Sequence, residues 1–296
     1  MKNLSVRQVR QKMEMKIVDL YQSLEIPAPE GAAATLCCYV QPTSVNVAAR
    51  RLRPGILILP GGGYNHVSER EAEPVALRFL AKGYCAFVLT YSVYPHRFPT
   101  ALREAAMAMR YIREHAQEMG LDPEKVAAMG FSAGGHLCGT LGTLFDSPEV
   151  ADLGSAGALR PDALGLCYPV AVSWGRTHEG SFEKLCGGDT ALRQRLSLEG
   201  LVRPDMPPVF LWHTREDETV PCRNSLILAQ ALEEAGVDFA LHIYQKGPHG
   251  LSTANEMAYS SYGVPEVSWD VPGWLEACHR FFQGSGLRIT DTEVNK

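Results

Sequence analysis

Gly130-Phe131-Ser132-Ala133-Gly134-Gly135-His136 is the stretch that decides the fold. It follows a short apolar run, Val126–Met129, and precedes a small-residue helical pattern, Leu137–Leu144. Gly-x-Ser-x-Gly between a strand and a helix is a nucleophile elbow. A Cβ at either flanking glycine would collide with neighbouring backbone, and the serine is left in a strained conformation with its hydroxyl exposed. Ser132 is therefore read as a nucleophile and not as turn filler.

A serine hydroxyl is a poor nucleophile at neutral pH, so a base, an orienting acid and donors for an oxyanion are needed elsewhere in the chain. Ile56-Leu57-Ile58-Leu59 reads as a buried strand, and Pro60-Gly61-Gly62-Gly63-Tyr64 begins where it ends. Glycines let the backbone approach a substrate and turn its N–H groups toward developing negative charge. The oxyanion donors are assigned to Gly62, Gly63 and Ala133. A phosphate-cradling loop is the alternative, but such a loop ends in Gly-Lys-Ser/Thr, and no Gly-Lys pair occurs. Beyond the strand-like Pro208–His213, the loop Thr214–Pro221 offers three carboxylates. Asp217 is the expected acid, with Glu216 and Glu218 read as solvated charges. The expected base is His249, in Lys246-Gly247-Pro248-His249-Gly250, after the strand pattern Phe239–Tyr244. The order Ser…Asp…His is one of three familiar serine-hydrolase orders. Most of the nine histidines must be bystanders. His136 reads as a packing residue, His213 as structural, and His66, His96 and His178 as loop residues within reach of a substrate.

With these motifs in this order, roughly residues 30–285 resemble the acetyl-xylan-esterase-like branch of the α/β-hydrolases, related to the hormone-sensitive-lipase-type carboxylesterases. The resemblance implies a mostly parallel sheet flanked by helices, and a serine carboxylesterase without a cofactor. It also implies a small ester substrate, often an acetylated plant-polysaccharide sugar. The lipase relatives usually carry His-Gly-Gly-Gly, whereas Pro60 stands at that histidine here, which favours the sugar-esterase branch. Substrate contacts are expected from Tyr64, Phe131, Trp174 and His178. An amidase, formamidase or small-peptide hydrolase would use the same groups, although no propeller-sized N-terminal domain accompanies them. A binding protein without chemistry is the third reading, since a fold does not imply a function.

The rest of the chain is consistent with these expectations. A net charge of −5 without a basic run argues against nucleic acid or an anionic membrane as partner. Met1–Lys16 is dense in Lys, Arg and Gln, so it reads as neither an export signal nor a membrane span. Eight cysteines without a Cys-x-x-Cys, several in apolar strand patterns, read as free thiols of a cytoplasmic protein. No metal-ligand spacing is present. Oligomeric state is left open, a homodimer included. Strands are expected near 35–41, 55–60, 84–91, 125–130, 163–168, 208–213 and 239–244, alternating with helices as in a parallel sheet. Ser68-x-x-Glu71 reads as a capping box opening a helix that Gly83 stops. Helices are also expected over Thr100–Gln117 and Cys222–Ala235. One α/β domain over 1–296 is expected, with a small cap inserted at 171–204. A longer surface crossover is the alternative there.

Overall fold

A computed structural model describes residues 14–41, 51–258 and 267–291. Ile56, Leu57, Ile58 and Leu59 are wholly buried, so their strand is covered on both faces. The strands are β1 (Glu14–Asp19), β2 (Thr35–Val40), β3 (Arg51–Leu59), β4 (Cys85–Thr90), β5 (Leu121–Phe131), β6 (Ala163–Cys167), β7 (Val209–Thr214), β8 (Phe239–Tyr244) and the two-residue β9 (Thr290–Asp291). They form one sheet in the order β1-β2-β4-β3-β5-β6-β7-β8, with β9 paired to β3. From β4 to β8 neighbouring strands run parallel, while β1 and β2 are antiparallel. Parallel order places every strand's C-terminal end on one edge, where an open α/β sheet binds its ligands.

Helices cover both faces. Phe79 of helix Glu73–Ala81 and Phe282 of helix Trp274–Gly284 belong to one core. Met109, Leu141 and Leu228, from helices Thr100–Glu114, Ala133–Leu144 and Arg223–Glu234, belong to the other. The seven expected strands are all present. Two others were not foreseen. β1 begins in the charged N-terminal stretch, whose residues before Glu14 lie outside the described ones, and it points Met15 and Ile17 into solvent. β9 exists only through its pairing with Arg51 and Leu52.

The capping box is a correction. Ser68 makes no side-chain cap and precedes only a single 3₁₀ turn, Glu69–Glu71, while the helix starts at Glu73. Glu71 is instead buried. The segment 171–204 holds helices Glu179–Cys186 and Thr190–Arg195 and a 3₁₀ turn, Leu198–Gly200. It lies against the elbow helix: the Phe182 ring packs edge-on to His136, and a Cβ on Gly139 would meet Leu198.

Candidate active site

Ser132 follows β5 directly, with φ 54° and ψ −118°, a conformation L-residues rarely adopt. Its backbone is clamped there. The N–H donates to the Cys167 carbonyl (3.0 Å), and its carbonyl accepts from His136 N–H and Val170 N–H (3.1 Å each). The flanking glycines are obligatory: a Cβ on Gly130 would fall on the Gly134 carbonyl, and one on Gly134 on the Leu59 and Pro60 carbonyls. The β5 turn thus fits directly against the end of β3.

The loops after β7 and β8 bring Asp217 and His249 to Ser132. Nδ1 of His249 lies 2.6 Å from Asp217 Oδ2, and Nε2 lies 2.8 Å from Ser132 Oγ. An ionised carboxylate only accepts, so the Nδ1–H donates to it and Nε2 is free to accept from the serine hydroxyl. Asp217 is buried, which by itself would raise its pKa. Hydrogen bonds from His213 and His249 outweigh burial and hold it at about 2. Its other oxygen accepts from Thr219 N–H (3.0 Å) and Val220 N–H (2.9 Å). Glu216 and Glu218 are exposed, and Glu216 sits 3.6 Å from Arg215. His213 is wholly buried; its Nε2–H donates to the Val220 carbonyl (2.7 Å) and stands 3.3 Å from Asp217 Oδ2.

The glycine loop is held by a carboxylate. Gly61 N–H donates to Glu71 Oε2 (2.8 Å), and the Tyr168 hydroxyl donates to Glu71 Oε1 (2.7 Å). Tyr168 in turn accepts from Ser252 N–H (2.8 Å), and its ring meets that of His249 edge-on at 5.0 Å. The Tyr91 hydroxyl donates to the Pro60 carbonyl (2.6 Å). One buried network therefore ties the glycine loop to the loop that bears His249. Among the described residues, nothing accepts from the N–H groups of Gly62, Gly63 or Ala133. Tyr64, Ser132, Tyr168 and Ser252 all hold positive φ around this site, a concentration of backbone strain of the kind found at functional sites.

A model of the prolyl oligopeptidase family matches residues 104–263, more than half the chain, and the BD-FAE model matches residues 45–155. The crystal structure of an acetyl ester-xyloside bifunctional hydrolase from Caldicellulosiruptor lactoaceticus is similar at a TM-score of 0.79 and 35% identity, covering 92% of this chain and 97% of that one. The chain belongs to the α/β-hydrolases. Endo-1,4-beta-xylanase B of Butyrivibrio fibrisolvens is 38% identical over 231 residues, 74% of this chain and 35% of that protein. The acetylxylan esterase of Xylanibacter ruminicola is 29% identical over 231 residues, 75% of this chain and 45% of that protein. The chain thus spans less than half the length of these two curated relatives.

In this α/β-hydrolase, Ser132 and His249 open into a cleft of about 370 Å³ walled by Gly62, Gly63, His66, Arg70, His178 and Lys184. Of the four expected substrate contacts, His178 alone lines it; burial, then the nearby His249, lower its pKa. The other three are corrections. Tyr64 is 3% exposed, because its positive φ turns the ring inward. Its hydroxyl donates to His136 Nδ1 (2.8 Å), while His136 Nε2–H donates to the Leu196 carbonyl (2.7 Å). Burial lowers His136 to about 4, so it remains neutral and joins the glycine loop, the elbow helix and the 171–204 segment. Phe131 is buried between Tyr168 and Trp274. Trp174 stands outside the cleft, its Nε1–H donating to Glu199 (2.7 Å). His96 lies away from the cleft, beside Gly31. Among the described residues no three His, Cys, Asp or Glu side chains are grouped to hold a metal. His213 is structural, as expected, whereas the roles of Glu71 and Tyr168 escaped sequence reading because nothing local to them signals their partners.

Proposed function

We propose that this α/β-hydrolase cleaves short acyl esters, chiefly acetyl esters of sugars, through an acyl-enzyme on Ser132. The observation that carries the reading is the continuous hydrogen-bonded chain Ser132–His249–Asp217, whose serine and histidine line an open cleft. His249 Nε2 takes the serine proton as Oγ attacks the ester carbonyl, and Asp217 orients the imidazole and stabilises its charged form. The N–H groups of Gly62, Gly63 and Ala133 receive the oxyanion. The proton then passes from Nε2 to the leaving alcohol, and His249 activates water to release the acid. Residues 171–204 act as a cap, contributing His178, Gly180 and Lys184 to the wall. The acetyl and sugar parts of the proposal lean on the names of the two relatives described as acetylxylan esterase and acetyl ester-xyloside hydrolase.

A cytoplasmic location belongs to the same proposal. All eight cysteines are free, and no helix among the described residues is long and apolar enough to cross a membrane. Fluorophosphonate labelling and acetate release from acetylated xylo-oligosaccharides test the activity. Both are expected from the parent protein, and both vanish in Ser132→Ala. Turnover that survives Ser132→Ala would sink the proposal. The match to the prolyl oligopeptidase family favours a second reading, amide cleavage by the same groups. Parallel assay of an acetyl ester and the matching anilide discriminates, the ester being the faster under the first reading.

A further inference from the structure

The chain carries a net charge of −5, yet its catalytic cleft is lined by the opposite sign. Two cations, Arg70 and Lys184, stand in the cleft wall, and the one carboxylate there, Glu71, is buried and engaged by Gly61 and Tyr168. Several cations elsewhere are matched: Arg193 pairs with Glu179 at 2.6 Å, Lys82 with Glu276 at 2.5 Å, Arg203 with Asp146 at 2.6 Å. Among the described residues neither Arg70 nor Lys184 has a carboxylate partner. Lys184 Nζ rests 4.4 Å from the centroid of the Tyr94 ring, on the wall formed by the 171–204 segment. The Arg70 guanidinium lies against Gly250, next to His249, and a Cβ on that glycine would be 3.1 Å from its Nη2. A second cleft, beyond the His249 loop, is different: Arg176, Arg215 and Arg223 share it with three carboxylates, Glu216, Asp217 and Glu218.

An anion on the substrate is drawn toward these two cations by the local field of the cleft. His249 hands its proton to the leaving oxygen, so the leaving alcohol lies on the His249 side, which is where Arg70 stands. We propose that the alcohol half of the substrate carries a carboxylate, held between Arg70 and Lys184. The substrate class is an acetylated sugar with a uronate on the same ring or its neighbour. The inference rests on the esterase reading above.

The test is acetate release from an O-acetylated uronic-acid oligosaccharide and from the same compound with its carboxylates methyl-esterified. At low salt kcat/KM is expected to favour the acid form by about fivefold or more, an advantage that shrinks as salt screens the contacts. Arg70→Gln and Lys184→Gln should each lower the ratio, and the double variant should bring it near one, with unfolding midpoints showing that each variant is folded. Equal or faster release from the methyl ester, or a preference that survives the double variant, overturns this inference alone. No acetate from either form overturns the esterase reading and this inference with it.

Discussion

Asp217 accepts from two N–H groups of its own loop and from His249, and against its burial the two histidines, His213 and His249, hold its pKa at about 2. Such a carboxylate stabilises the fold fully above its unfolded value, about pH 4, and loses that contribution as pH falls through about 2. The contribution is on the order of 2 kcal/mol, and Asp217→Asn should flatten unfolding free energy against pH across that window. The same substitution should lower kcat for an acetyl ester by about a thousandfold or more, since the imidazole loses its orienting acceptor. Glu216→Gln, in a side chain that points to solvent, should leave the rate unchanged. A dead Glu216→Gln beside an active Asp217→Asn would reassign the acid. Glu71 acts at one remove, through the Gly61 N–H and Tyr168. Glu71→Gln turns one acceptor into a donor facing these groups. It should cut kcat by about tenfold to a hundredfold, less than the loss of an oxyanion donor itself, with little change in KM. An equal rise in KM with kcat intact would mean that Glu71 serves substrate binding instead.

At the scale of elements, the site depends on how tightly the elbow helix seats against the end of β3. Gly134→Ala would drive a methyl group into two backbone carbonyls that have no room to move. A cost of about 3 kcal/mol or more is expected, read as a lowered denaturant midpoint. His136 ties that helix to the glycine loop and to Leu196. Burial lowers its pKa to about 4, so the unfolded chain binds a proton that the folded one refuses between about pH 6.5 and pH 4. Stability should therefore fall with pH across that interval by about 3 kcal/mol, and the fall should be smaller in His136→Gln. A parent protein equally stable at both ends of the interval would show that His136 is charged when folded.

For the whole molecule, the parallel order of β3 to β8 gathers five separate loops on one sheet edge. The glycine loop, the elbow, Tyr168, Asp217 and His249 follow β3, β5, β6, β7 and β8 in turn. The cleft at Ser132 holds only about 370 Å³, so rates should drop steeply from acetyl to octanoyl esters of one alcohol. A preference for long chains would contradict a small acyl site. Thiol titration of the denatured, unreduced protein should find all eight cysteines free, in keeping with the six that lie buried. Stable disulfides would argue against a reducing compartment.

Local sequence determined a good deal of this. Gly130-Phe131-Ser132-Ala133-Gly134 carries its own steric constraint, so the elbow, the strand before it and the helix after it were legible together. The alternation of buried strands and amphipathic helices set the parallel sheet, and the chain order of Ser132, Asp217 and His249 matched the residues that now meet. Other features needed the folded chain. β1 and β9 are edge pairings whose partners lie far along the sequence. Tyr64 and Phe131, aromatic residues beside the motifs, turn into the core because backbone dihedrals and strand faces, not proximity to a motif, direct a side chain. Glu71 looks like a helix cap locally and becomes the brace of the glycine loop only when Gly61 and Tyr168 reach it. A buried carboxylate is stabilised by whichever donors arrive, and these two follow separate strands, β3 and β6, that only tertiary packing brings to it.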